Sequence, residues 1–192
     1  MKFVQKEFSY TYEEKKSKFI AFLVPFESFD TVMNRLKKEH PKARHFVYAY
    51  RYLNEFDQIV ENSSDDGEPK GTSGKPCLNV LAGNKMINTA VIVVRYFGGV
   101  KLGTGGLVRA YGDSVNEVMA ISHTLLYEKQ QQYQIKLEYS RLSLVEYLLV
   151  GCNIKIINKS FQTEVTLFLE GTLEHFEELK DKLPQGIFLE NC

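Results

Sequence analysis

The sequence predicts an α+β protein of two domains, and three observations support this fold class. Its 192 residues are enough for one large or two small domains. Segments that alternate with the two-residue period of strands and segments with the 3.6-residue period of helices both occur. The pattern changes at the polar run Glu128 to Gln132, so we place one domain at residues 1–127 and a second at 128–192.

The first half of domain 1 contains a strand, a helix and a predicted hairpin. Lys18 to Val24 is short and apolar, as expected of a strand. Ser28 is a suitable N-cap for a helix that stops before Pro41. His45 to Tyr52 alternates strictly, and Phe56 to Val60 is its expected hairpin partner.

The rest of domain 1 is rich in turn residues and glycine. The predicted order is a surface loop over Glu61 to Gly74, a helix from near Lys75 to Gly83 that Ser73 or Gly74 caps, a buried strand over Thr89 to Phe97, a glycine loop over Gly98 to Gly106, and a helix to about Ser122.

Domain 2 reads as a βαββαβ unit, the order of the ferredoxin-like fold. The predicted elements are a strand over Tyr133 to Tyr139, a helix capped by Ser140 and closed by Gly151, a strand over Asn153 to Asn158, a strand over Phe161 to Leu169, a helix opened by Thr172, and a last strand over Ile187 to Glu190.

The charge distribution has one unusual window, from Pro69 to Gly112. The formal net charge of the chain is zero, but domain 1 carries 17 basic and 14 acidic residues (+3) and domain 2 carries 7 and 10 (−3). The window contains most of the glycines and no acid. A solvated surface normally mixes both signs, so this window indicates an anionic partner. Its basic residues are Lys70, Lys75, Lys85, Arg95, Lys101 and Arg109.

Two predicted helix starts in this window are candidate phosphate sites. The glycine loop Gly98 to Gly106 joins a buried strand to a helix, where unpaired N–H groups and the helix dipole attract anions. Thr72 to Lys75 repeats that arrangement. Neither a Walker A triplet nor GxGxxG is present, and a tight strand-to-helix turn explains the glycines equally well. The candidate phosphate- or nucleic-acid-binding residues are Lys70, Thr72, Ser73, Lys75, Arg95, Gly98, Gly99, Lys101, Gly103, Thr104, Gly105, Gly106 and Arg109.

The acidic loop before this window is a candidate magnesium site. Asp65, Asp66 and Glu68 supply the clustered carboxylates that hard cations require. A turn that caps the following helix is the alternative, and we favour it over the metal.

The strand at residues 45–52 presents two faces that each suggest a ligand contact. Its aromatic face resembles a platform on which RNA bases stack, although one face of a core is the more common explanation. On the opposite face, His45 and Arg51 are candidates for contact with phosphate. The aromatic residues are Phe46, Tyr48, Tyr50 and Tyr52.

Cysteine usage and the amino-terminal residues indicate a cytoplasmic protein. Cys77, Cys152 and Cys192 are odd in number, widely spaced and without metal-ligand spacing. Charges at Lys6 and Glu7 interrupt any signal-peptide core, and no apolar run is long enough to cross a bilayer. Without GxSxG, HExxH or SxxK, we predict no cofactor and no established catalytic group.

Two long motifs resemble those of the YigZ/IMPACT family. They are SDDGEPKGTSGKP at Ser64 to Pro76 and RYFGGVKLGTGGLVRAY at Arg95 to Tyr111. With Ser17 to Ile20 and Tyr48 to Arg51, the likeness covers about residues 1–125, and the tail matches bacterial members. Phe46-Val47 departs from the family, where many members carry a polar residue or cysteine, and this weakens any role transferred to that edge.

The resemblance implies a fold for each domain. Domain 1 is expected to be ribosomal protein S5 domain 2-like, similar to domain IV of elongation factor G. Domain 2 is expected to be ferredoxin-like, similar to domain V of that factor. Eukaryotic members modulate a kinase pathway of translation control through an added amino-terminal domain, so that role is not carried over whole.

Three functions remain open from the sequence. The first is a non-enzymatic, translation-associated protein that binds RNA, the ribosome or another phosphate-bearing ligand, with no DNA specificity and no membrane partner; the small +3 charge argues against it. The second is an enzyme or sensor for a phosphorylated small molecule with a metal at Asp65, Asp66 and Glu68. The third is a module that binds a protein partner in translation control.

Overall fold

The computed structural model describes residues 1–191, and the third cysteine, Cys192, lies outside them. The chain divides into two units, residues 1–127 and 128–192, and each has hydrophobic core clusters of its own. Among the described residues, no helix is both long enough and apolar enough to cross a membrane.

The first unit contains seven strands and three helices. In chain order they are β1 (Lys2–Phe3), β2 (Phe8–Glu14), β3 (Ser17–Pro25), α1 (Phe29–Glu39), β4 (His45–Leu53), β5 (Ile59–Ser64), α2 (Gly74–Gly83), β6 (Thr89–Tyr96), α3 (Gly103–Ile121) and β7 (Leu125–Leu126).

Five of these strands form an antiparallel sheet in the order β2-β3-β6-β4-β5. Helices α2 and α3 pack on one face through residues such as Leu81 and Val115, and α1 covers the other through Leu36. Strand β6 is central and buried along nearly its whole length, as its apolar sequence predicted. Alternate residues of β6 therefore reach both cores, and Arg95 falls on the face of α2 and α3.

The aromatic face of β4 is one wall of the α1 core. Phe46, Tyr48 and Tyr50 are partly buried against the cluster that contains α1, and Phe29 packs on the rings of Tyr48 and Tyr50. Tyr52 stacks on Phe26 with ring centroids 4.1 Å apart. The interpretation of this face as a base-stacking platform was therefore wrong, and the core interpretation is confirmed.

Two local predictions in the first unit also need correction. The partner of β4 is Ile59–Ser64 rather than Phe56 to Val60, because the Asn54 side chain accepts hydrogen bonds from the N–H groups of Phe56 and Gln58 and holds a turn there. Ser28 does not cap α1 with its side chain, since it ends a short 3₁₀ turn that leads straight into the helix.

The second unit contains four strands and two helices in the predicted βαββαβ order. They are β8 (Gln130–Leu137), α4 (Leu142–Gly151), β9 (Lys155–Phe161), β10 (Val165–Thr172), α5 (Leu173–Lys182) and β11 (Leu189–Asn191).

The strands of this unit form an antiparallel sheet in the order β11-β8-β10-β9. Both helices pack on one face of it, through Val145 and Phe176 among others. Thr172, which was predicted to open this helix, is its N-cap, and its hydroxyl accepts a hydrogen bond from the N–H of His175 at 3.3 Å. Ser140 is not a cap; its hydroxyl bonds the Glu138 carboxylate within a 3₁₀ turn.

Candidate functional site

The glycine loop leads from the end of β6 to the start of helix α3, which has no side-chain cap. Helix α3 begins at Gly103, its N-cap residue Leu102 makes no side-chain cap hydrogen bond, and its first turn contains no acid. The first N–H groups of a helix have no partner within the helix, and they carry a partial positive charge. The start of α3 is therefore suited to a negatively charged group.

The glycines of this loop differ in whether packing excludes a side chain at their position. A Cβ on Gly98 would lie 2.0 Å from the backbone carbon of Lys16, and the Gly98 N–H donates to the Ser17 hydroxyl at 3.2 Å. Gly98 is thus required by its contact with the turn between β2 and β3, so for this residue the tight-turn explanation holds. A Cβ on Gly105 would meet nothing within 4 Å, so packing does not explain the absence of a side chain there.

A cavity of about 350 Å³ lies beside the start of α3. Four of the predicted site residues and Glu68 share it with apolar side chains that the sequence did not single out. Its lining residues are Glu68, Pro69, Arg95, Phe97, Lys101, Leu102, Gly103, Thr104 and Leu107.

A buried ion pair forms part of the wall of this cavity. The Arg95 guanidinium donates to Glu68 Oε1 at 2.5 Å, and the Tyr111 hydroxyl donates to the same oxygen at 2.8 Å. The side chains of Glu68 and Arg95 are 4% and 7% exposed. Burial, together with the charge and hydrogen bond of Glu68, raises the pKa of Tyr111, so this hydroxyl stays protonated and remains a donor.

The Arg95 guanidinium is held between two rings and keeps one donor unused. Its carbon Cζ lies 5.3 Å from the ring centroid of Phe19 and 5.9 Å from that of Phe97, which are cation–π distances. Among residues 1–191, its buried Nε has no hydrogen-bond partner. A buried, unpaired donor is costly, and Arg95 is one of the residues that line the cavity.

His45 belongs to the same network. It pairs with Arg95 across β4 and β6, its Nε2 lies 3.9 Å from Glu68 Oε1, and its Nδ1 lies 2.8 Å from the carbonyl oxygen of Asp66. The structure places His45 behind the carboxylate of Glu68, and it does not line the cavity.

The second predicted helix start is already occupied by an acid of the chain. The Asp65 carboxylate accepts hydrogen bonds from the N–H groups of Gly71, Ser73 and Gly74 and from the Ser73 hydroxyl, at 2.7–3.1 Å. The Thr72 hydroxyl donates to the carbonyl of Pro69. The start of α2 is therefore occupied by Asp65, and the prediction of a phosphate site there was wrong for Thr72 and Ser73. Lys70 and Lys75 are exposed beside it, and their contact with a ligand stays a prediction.

The acidic loop does not assemble the predicted metal site. Asp65 caps α2, Asp66 accepts a hydrogen bond from the Phe46 N–H at 2.6 Å, and Glu68 pairs with Arg95. The three carboxylates thus serve three separate partners, and no group of three metal-ligating side chains occurs within the described part of the chain. The capping-loop alternative is the one that the structure supports.

Arg51 and Arg109 lie away from the cavity. Arg51 donates to Glu61 and to the carbonyl oxygen of Met86, both at 2.7 Å, so its role is structural and its assignment to the site was wrong. Arg109 is exposed on α3 and lines a different depression together with Lys15 and Asp113.

Sequence reasoning did not identify two residues of the site, Phe97 and Tyr111. Phe97 was treated as the end of a buried strand, yet it is 50% exposed at the cavity. Tyr111 is fully buried on α3, and a buried tyrosine hydroxyl needs a partner. The sequence therefore indicates that the Tyr111 hydroxyl has a hydrogen-bond partner, but it does not identify Glu68 as that partner.

We predict that Asp65→Asn lowers the free energy of unfolding by about 1–2 kcal/mol at pH 7. Burial alone would raise the pKa of Asp65, but hydrogen bonds from Ser73, Gly71 and Gly74 outweigh it and lower the pKa. The folded-state pKa thus lies below the unfolded value of about 3.9, so the stabilisation is present above that value and is lost as the pH falls through the folded-state pKa. Urea unfolding at several pH values measures this.

The exposed Glu55 supplies the control for this experiment. Glu55→Gln should leave stability within about 0.5 kcal/mol of the wild type. Equal free energies of unfolding of the wild type and Asp65→Asn at pH 7 would contradict the capping role. A difference between them that grows as the pH falls would also contradict it.

We also predict strong energetic coupling between Glu68 and Arg95. Glu68→Leu should cost about 3–5 kcal/mol, because it leaves the Arg95 charge buried without its partner. The double variant with Arg95→Met should cost clearly less than the sum of the single variants. Urea unfolding of the four proteins completes the cycle. The exposed pair Arg35–Glu7 is the control, with an expected coupling below about 1 kcal/mol; additive effects at both pairs would refute the prediction.

Known proteins resemble this chain along most of its length. A family model described as the Impact N-terminal domain matches residues 15–119, and one described as a domain of unknown function (DUF1949) matches residues 135–185. An IMPACT family member of Haemophilus influenzae is 37% identical over 177 residues, which cover 88% of this chain and 86% of that protein. The IMPACT family member YigZ of Escherichia coli is 40% identical over 158 residues, with coverages of 81% and 78%.

One solved structure also resembles this chain. It is described as the crystal structure of an hypothetical protein, is 34% identical, and matches with a TM-score of 0.72 over 100% of this chain and 96% of that one. The fold is thus a mixed α+β arrangement of an Impact N-terminal domain and a carboxy-terminal DUF1949 domain. The chain belongs to the IMPACT family.

Proposed function

We propose that this protein is a non-enzymatic, translation-associated binding protein whose ligand carries phosphate, with RNA or the ribosome as the principal candidate. The observation that carries the proposal is the open start of α3 beside the buried Arg95, whose Nε has no partner within residues 1–191. Arg95 and the first residues of α3 line the same cavity, and the oxygens of a phosphate group are the acceptors that such donors bind.

The charges around the cavity suggest modest affinity. Glu68 neutralises Arg95 through the buried ion pair, so net attraction comes from the start of α3 and from Lys101. We therefore expect only about one or two phosphate charges to be neutralised, which corresponds to a slope of log affinity against log salt of about −1 to −2. This agrees with the small net charge of +3 on residues 1–127.

The titratable groups near the cavity favour binding over catalysis. Tyr111 is kept protonated by burial and by Glu68, which raise its pKa. Glu68 is held in the ion pair. A general acid or base works best with a pKa near the pH at which it operates, and the raised pKa of Tyr111 does not meet that condition. Tyr111 instead helps to hold Glu68, which in turn holds Arg95.

The association with translation rests on family resemblance. We propose that residues 1–127 form a ribosomal protein S5 domain 2-like domain and residues 128–192 a ferredoxin-like domain, as in domains IV and V of elongation factor G. The βαββαβ order and the strand order β11-β8-β10-β9 support the second assignment. The buried thiols of Cys77 and Cys152 are compatible with the reducing cytoplasm that the sequence indicates.

A phosphorylated small molecule is a second candidate ligand. The cavity volume of about 350 Å³ lies in the range of small-ligand sites, which begins at about 300 Å³. This candidate uses the same phosphate contacts and requires no metal. A protein partner in translation control is a third candidate, for which no described surface argues specifically.

We predict opposite effects of Gly105→Ala on stability and on ligand binding. Gly105 lies in α3 with open space at its Cβ position, so alanine should stabilise the protein by up to about 1 kcal/mol. The new methyl group would block a phosphate that approaches the backbone, so affinity should fall about ten-fold. Fluorescence titration with a labelled structured RNA and with ribosomes, at about 50 and 200 mM salt, measures binding.

Gly112 provides a matched control for this test. It also lies in α3 with nothing within 4 Å of its Cβ position, but it is more than two turns away from the start of the helix. Gly112→Ala should stabilise the protein similarly and leave affinity unchanged. The proposal fails if the wild type binds neither RNA nor ribosomes at low salt, and the site assignment fails if both alanine variants bind like the wild type.

A further inference from the structure

We propose that the cavity beside α3 accommodates one unpaired nucleotide, with its phosphate at the start of α3 and its base against the ring of Phe97. This inference rests on the proposed function, because it names the class of phosphate-bearing ligand that the same cavity selects. The inference adds that the cavity binds single-stranded RNA in preference to double-stranded RNA.

The walls of the cavity are of two chemical kinds. Lys101, Gly103 and Thr104 provide a cation, a helix start and a hydroxyl. Leu107, one turn further along α3, and Phe97 provide an apolar surface. A ligand that matches both kinds of wall has an anionic end and a flat apolar part, and a nucleotide has both.

Phe97 has the properties of a stacking surface. Its ring is 50% exposed although it follows a buried strand, and it belongs to none of the hydrophobic clusters in the described residues. The Arg95 guanidinium lies 5.9 Å from its ring centroid and is itself fixed by Glu68. The ring is thus supported from within the protein, and nucleic-acid bases stack on such aromatic rings with little dependence on sequence.

The charges in the wall fit a single phosphate. Glu68 and Arg95 neutralise each other in the buried ion pair, so Lys101 and the start of α3 are the parts of the cavity that attract an anion. The cavity volume of about 350 Å³ is near the lower limit for ligand sites, so the cavity has room for one nucleotide.

Pairing in a duplex would prevent this binding mode. The bases of double-stranded RNA are stacked and their edges are paired, whereas unpaired bases can turn outward and stack on protein rings. We therefore expect the full-length protein to bind a single-stranded RNA oligonucleotide at least ten-fold more tightly than a duplex of the same length.

The test compares Phe97→Leu with Phe56→Leu in the full chain. Phe56 is 71% exposed in the turn between β4 and β5, so it controls for loss of an exposed ring elsewhere. Phe97→Leu should weaken single-strand binding about ten-fold, within the range expected for loss of one stacked base. Phe56→Leu should have no effect, and Phe97→Tyr should restore binding because it keeps the ring.

A spectroscopic readout makes the test independent of the stability of the variants. An oligonucleotide that contains 2-aminopurine should lose fluorescence when it binds the wild type, because stacking on Phe97 quenches the base. Equal affinity for single strand and duplex, together with an unchanged affinity of Phe97→Leu, would overturn this inference while the proposed function stands. Absence of all RNA and ribosome binding at low salt would overturn both.

Discussion

The buried ion pair between Glu68 and Arg95 is the interaction on which the candidate site depends. Glu68 comes from the loop after β5, Arg95 from the end of the central strand, and Tyr111 from the third turn of α3. One carboxylate oxygen therefore connects three segments. Two desolvated charges are stable only when each finds its partner. The position of the loop, and therefore of the cavity wall, is fixed by that requirement.

The two helix starts of the acid-free window show how one local motif gives two outcomes. Both α2 and α3 begin at glycine without a side-chain cap from their own N-cap residue. Asp65 reaches the start of α2, where its carboxylate accepts hydrogen bonds from the N–H groups of Gly74, of the N-cap residue Ser73 and of Gly71 in the preceding loop. The first turn of α3 contains no acid. The loop that carries Asp65 and Glu68 thus closes one helix start and builds the wall beside the other.

The sequence predicted the strands and helices that have a clear period, including the buried strand β6, the βαββαβ order of the second unit and the helix that Thr172 opens. It did not predict the turn at Asn54 to Gln58, because a side chain that accepts backbone hydrogen bonds can shift a strand boundary without changing the apolar pattern. For the site, it indicated the window that contains Arg95, Lys101 and the α3 glycines. The capping role of Asp65 was the favoured alternative, because it involves residues only six to nine positions away. The role of Arg51 depends on its contact with Met86, 35 residues away, which no local pattern specifies.

Phe97 shows why the type of ligand surface is harder to predict than the site itself. As the last apolar residue of a buried run, it has the sequence signature of core. Its exposure arises because β6 ends at Tyr96 and the chain must turn at once to bring Gly98 against the backbone of Lys16. That contact leaves the ring of Phe97 beside Arg95, where the guanidinium holds it at the cavity. The same close approach that gives Gly98 a purely structural role therefore creates the exposed aromatic surface of the site.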